Sequence, residues 1–105
     1  MGVILKGNSG KQYIFEGPYK KRSHLFNEPG VFAFICENGK GTNVKYLSCA
    51  DKVYESVLEE EEIEFNLRQN YNDLSYAVFY VMNENFLSRE QIIKDIKEHY
   101  DLMIE

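Results

Sequence analysis

The stretch "GVFAFIC" (30–36) constrains this chain more than any other. Successive side chains of a strand point to opposite faces, and here neither face has a charged residue. Such a run has no side to give to water, so it predicts an interior strand covered by packed layers above and below. After it, "ENGKGTN" (37–43) reads as a turn and "VKYLS" (44–48) as the returning strand. That register sets Cys36 opposite Asn43 and leaves Cys49 at the far end of the hairpin. At about 3.3 Å per residue the two cysteines lie about 20 Å apart, beyond disulfide reach, and both are expected as free thiols. No CxxC occurs, and His24 and His99 are remote in sequence, so no metal pattern emerges.

The remaining elements fit around this hairpin. "VILKGNSGKQYIF" predicts an N-terminal hairpin about Gly-Asn-Ser-Gly. Residues 17–29, with Gly17, Pro18, Asn27 and Pro29, read as a loop. Asp51 is placed to cap a short helix, "KVYESVLEEE", with Val53, Val57 and Leu58 on one face. "IEFNLRQNYND" fits helix or loop equally. "LSYAVFYVM" (74–82) has the β-branched and aromatic content of a strand. Ser88 and Gln91 form a capping box for a last helix with the stripe Ile92, Ile93, Ile96, Tyr100 and Met103. The expected fold is a single α+β domain over 1–105: a small, mostly antiparallel sheet with an N-terminal hairpin, flanked by two or three helices.

Charge narrows the partners. The chain of 105 residues carries 12 Lys and Arg against 17 Asp and Glu, a net charge of −5. A phosphate-binding surface needs cations to displace counterions, so this balance disfavours nucleic acid. "YKKRSH" (19–24), with Lys20, Lys21 and Arg22, is the local exception. "LEEEEIE" (58–64) would repel DNA, and its run of carboxylates reads as solvated surface. No run is apolar enough to span a membrane and the first residues lack a signal peptide's apolar region, so a cytoplasmic protein is expected.

Three segments, in order, resemble the GIY-YIG nuclease superfamily, in particular its small stand-alone bacterial members. "PGVF" (29–32) stands where those proteins read Gly-Ile/Val-Tyr. "KYLSCADKV" (45–53) stands for Tyr-Ile/Val-Gly and a short helix, and "SREQIIKDIKEHY" (88–100) for the C-terminal helix. The resemblance implies a Tyr on each strand to place or activate water, an Arg on the following helix to stabilise phosphate charge, and a Glu on the last helix to hold a divalent ion. Phosphodiester cleavage builds charge that such a cation and Arg fork neutralise.

Carried over position by position, the resemblance gives a degenerate signature. The first Tyr is Phe32. The second is kept as Tyr46, but its Gly is Ser48. The Arg register falls on Ser56, and the metal-binding Glu on Ile93. The Pro and Asn expected after the last helix are missing from "YDLMIE". With no hydroxyl at 32, no guanidinium at 56 and no carboxylate at 93, no catalytic residue, metal or cofactor is expected. The expected function is a catalytically inactive GIY-YIG-like domain that binds a protein partner or a second copy of itself. Lys20, Lys21 and Arg22, and a Tyr-rich strand face with Tyr76 and Tyr80, are the candidate binding residues. Two alternatives stand beside this. One is a divergent metal-dependent endonuclease or nucleic-acid-binding protein using Tyr46, Lys52, Glu90 or Asp95. The other is an unrelated small α+β protein.

Overall fold

The computed structural model describes residues 2–38, 41–81 and 86–100. Its strands are β1 (Gly2–Lys6), β2 (Gln12–Tyr19), β3 (Gly30–Asn38), β4 (Gly41–Ala50) and β5 (Ser75–Tyr80). The helices are α1 (Val53–Glu59), α2 (Glu61–Arg68) and α3 (Phe86–His99), and a 3-10 turn spans Arg22–His24. All neighbouring strands are antiparallel, in the order β1-β2-β5-β3-β4. The α+β class read from the sequence is the one found, with β3 an interior strand hydrogen-bonded to β4 on one side and β5 on the other.

The apolar run of β3 divides its side chains between two cores, one on each face of the sheet. Val31, Ala33 and Ile35 pack with Phe15, Ala77 and the α3 residues Ile93 and Ile96. Phe32, Phe34 and Cys36 pack with Val53 and Val57 of α1 and with Tyr76 and Val78 of β5. Helix α3 therefore covers one face, while α1 and α2 cover the other. A strand covered on both sides can be apolar throughout.

Cys36 pairs with Asn43, as the sequence implies, and both cysteines are free thiols. One residue further along, the ladder breaks register. Ile35 pairs with Val44 but Phe34 pairs with Tyr46, so Lys45 is an extra residue on β4. This β-bulge turns Val44 toward the α3 core and Tyr46 toward the α1 core, two residues that a regular strand would hold on one face.

Four sequence expectations need correction. Strand β2 runs on through Gly17 and Pro18 to Tyr19, where a loop was expected. Gly17 makes this possible: its φ is +129°, and a Cβ there would lie 2.7 Å from the Tyr76 carbonyl oxygen. Asp51 does not cap α1. Lys52 holds the N-cap position without a side-chain bond, and the Asp51 carboxylate instead pairs with Arg89 on α3. Leu58 leaves the face formed by buried Val53 and Val57 and is largely exposed, one residue being about 100° further round the helix. Ser88 lies inside the first turn of a helix that starts at Phe86, so it is not the cap. The ambiguous segment is α2 over its first half. Lys40, Met82, Met103 and the residues after Tyr100 lie outside the described residues.

Candidate functional site

The positions singled out by the sequence separate into two groups. Phe32 is only 1% exposed, with its ring 6.3 Å from that of Tyr46. In the ladder Phe32 faces Ser48, and Tyr46 faces Phe34. Burial and the nearby Glu60 carboxylate raise the pKa of the Tyr46 hydroxyl, while Ser48 pulls it the other way. Phe32, Tyr46 and Ser48 thus share one neighbourhood, on the face that α1 covers. Ser56 is half-buried on that helix. Ile93, however, belongs to the opposite core. The sheet lies between the position read as the metal ligand and the positions read as the two tyrosines.

The substitute carboxylates on α3 are engaged as well. The Cys49 thiol donates to Glu90 Oε1 at 3.7 Å. Burial, then the Glu90 charge, pushes that thiol up to about 11. Asp95, named for the divergent-nuclease alternative, is half-buried. It accepts from the Ser9 amide at 2.8 Å, and from the Ser9 and Tyr13 hydroxyls at 2.7 Å each. Its oxygens hold the β1–β2 turn and leave little to offer a cation. Among the described residues, no group of three or more His, Cys, Asp or Glu side chains is placed to hold a metal ion.

The candidate binding residues do converge. The backbone at Lys20–Ser23 passes beside α1 and α2, leaving an open cleft of about 470 Å³. Lys20, Lys21 and Arg22 form its rim, and Tyr54, Glu64, Arg68 and Tyr76 are among the other residues lining it. Lys20 Nζ donates to the Asp73 carbonyl at 3.1 Å, which fixes its stem. On α2, one turn apart, Arg68 Nε donates to Glu64 Oε2 at 2.8 Å. Arg68 also donates to the Leu74 carbonyl at 3.3 Å and the Tyr76 hydroxyl at 3.4 Å. Burial works against the Arg68 charge, but the bonds to Glu64 and Tyr76 outweigh it and raise its pKa. Burial and Glu64 likewise raise that of Tyr76, against the Arg68 charge.

Tyr76 is 3% exposed, so its ring is core and only the hydroxyl end lines the cleft. The exposed Tyr76/Tyr80 face read from the sequence does not exist as such. Tyr80 is half-buried, away from this cleft, and its hydroxyl accepts from the Phe26 amide at 2.7 Å. Sequence reasoning missed Glu64, Arg68 and Tyr54. The i, i+4 spacing of Glu64 and Arg68 is a helical ion-pair pattern, hidden in the segment that fitted helix or loop equally.

The cleft lining carries a net positive charge. Glu64 and Arg68 cancel, so the charge left on the lining is that of the rim cations, on a chain whose net charge is −5. No protein-family model, curated protein or solved structure matches the chain.

Proposed function

We propose that this chain is a non-catalytic binding module of GIY-YIG-like build, and that its cleft docks a short acidic segment of a partner protein. One observation carries the proposal: Lys20, Lys21 and Arg22 line one cleft whose other charged lining residues, Glu64 and Arg68, are paired with each other. Lys20, held by the Asp73 carbonyl, loses little freedom on binding, and the Arg22 guanidinium suits a carboxylate. The loss of chemistry is supported by Phe32 sealed in the core and by Ile93 on the far side of the sheet.

A protein segment suits the cleft better than a nucleic acid. Glu59–Glu62 occupies the α1–α2 corner, between Leu58 and Glu64 of the lining, so a long polyanion leaving the cleft meets repulsion. A short acidic segment can end before that corner.

The test is a titration of fluorescent Asp/Glu-rich peptides and length-matched single-stranded DNA, followed by anisotropy at low and moderate salt. The expected result is salt-sensitive peptide binding that Lys21→Glu with Arg22→Glu weakens at least about tenfold. Tighter binding of DNA than of any peptide would transfer the cleft to the nucleic-acid alternative. Cleavage of DNA or RNA with Mg²⁺ or Mn²⁺, abolished by chelator, would overturn the non-catalytic reading.

A further inference from the structure

The helical wall of the cleft, facing its cationic rim, carries the longest run of like charge in the chain. Helix α1 ends at Glu59 and α2 begins at Glu61, so "EEEE" (59–62) turns the corner between them. Glu59, Glu61 and Glu62 are exposed. Glu61 lies seven residues before Arg68, two turns of helix, and therefore on the side of α2 that borders the cleft. Leu58, on the cleft lining directly before the run, is 39% exposed, and Phe65, one turn after Glu61, is 63% exposed.

Both walls hold unanswered charge. Among the described residues Lys21, Arg22, Glu59, Glu61 and Glu62 form no ion pair, in contrast to Glu64 and Arg68. Cations along one wall and carboxylates along the other make a surface that complements itself after a half-turn. The acidic run also has the length the cleft calls for. It is four residues long, bounded by Leu58 and Ile63.

We propose that two copies of the chain pack through this surface, each seating its Glu59–Glu62 corner on Lys21 and Arg22 of the other. The twofold axis runs along the cleft, between its two walls. A half-turn about it lays the acidic wall of each copy over the cationic wall of the other, so the same contact forms twice. Leu58 and Phe65 bracket the acidic run and add apolar surface to the contact. Helices α1 and α2 are the layer that covers this face of the sheet, so the copies meet through their outermost layer and the sheets stay apart.

This names the second copy as the source of the acidic segment and rests on the docking reading of the cleft. The experiment is sedimentation velocity of the full chain from about 5 to 500 µM, with acidic-peptide anisotropy at about 1 µM, below the dimer range. The wild type should pass from monomer to dimer, and should shift back toward monomer as salt is raised. Glu61→Lys with Glu62→Lys, and separately Lys21→Glu with Arg22→Glu, should each weaken the dimer about tenfold or more. An equimolar mixture of the two variants should dimerise again, because both contacts of the mixed pair then join opposite charges. Glu61→Lys with Glu62→Lys should still bind acidic peptide, since its cationic rim is intact. A wild type that stays monomeric while binding acidic peptide would overturn this inference and leave the docking reading standing; one that does neither would overturn both. A dimer indifferent to either pair of reversals, or a mixture as monomeric as its components, would also overturn the inference.

Discussion

The Tyr13 hydroxyl donates to Asp95 Oδ2 at 2.7 Å, tying the first hairpin to the last helix across most of the chain length. Ser9 adds two more bonds to the same carboxylate. Bonds to an ionised acceptor are worth about 1.5–3 kcal/mol each in favourable sites, and less where water competes. Asp95→Ala should therefore lower unfolding free energy by about 2 kcal/mol, seen as an earlier urea midpoint. Asp95→Asn should lose roughly half of that.

The same contact predicts a pH profile. The hydrogen bonds from Ser9 lower the Asp95 pKa, so its contribution is present above the unfolded value of about 4 and is lost as acid protonates the folded carboxylate. Burial and Asp95 raise Tyr13 to about 12, so its contribution is present below about 10 and is lost between there and about 12. Urea midpoints of wild type and Asp95→Asn should converge below about pH 4. An unchanged gap there would mean that the effect is not the carboxylate charge.

Phe32→Tyr would set a hydroxyl at a position that is 1% exposed, among Phe34, Val53 and Tyr46. Burying an unpaired hydroxyl costs about 1–3 kcal/mol. The variant should melt earlier and cleave no nucleic acid, in contrast to what restoring a lost catalytic group would do. A thermal melt and a gel assay with Mn²⁺ check both halves.

Cys49 should be slow to modify. With its thiol pushed up to about 11, the thiolate fraction at pH 8 is about one in a thousand. Cys36 is buried, and burial raises its pKa as well. A disulfide-exchange reagent should react with neither cysteine rapidly in the native protein and with both in denaturant. Fast native reaction of Cys49 would show that the bond to Glu90 opens readily.

Glu64→Ala should destabilise by about 1–2 kcal/mol, because it leaves the partly buried Arg68 without its counter-charge. The discount from a fully buried pair reflects an Arg68 side chain that is 34% exposed. The variant should also tighten acidic-peptide binding, since it removes a carboxylate from the cleft lining and leaves the Arg68 charge uncancelled. Unfolding by urea and peptide anisotropy on one sample separate the two effects.

The sheet was legible in the sequence because β3 announces itself by apolar content and β1, β2 and β5 by alternation or β-branched and aromatic residues. Helix α3 was legible through the Ile92–Ile93–Ile96 spacing. What escaped were features whose cause lies in tertiary contact. Gly17 and Pro18 look like a loop until β5 approaches closely enough to need a glycine. Asp51 looks like a cap until Arg89 arrives from a helix 38 positions later. The cleft was half legible: "YKKRSH" stood out, but Glu64 and Arg68 required α2 to be helical, and its sequence is too polar to say so.

The extra residue at Lys45 splits the return strand into two stretches of opposite parity. Before it, even-numbered Val44 faces α3; after it, even-numbered Tyr46 faces α1. Such a strand cannot be made regular by slipping, because taking Lys45 into the ladder would keep one half in place only by turning the other inside out. Deleting Lys45 would leave Val44 and Tyr46 adjacent on a regular strand, still facing α3 and α1, whereas drawing Lys45 into the ladder would send either the valine or the tyrosine to the wrong side of the sheet.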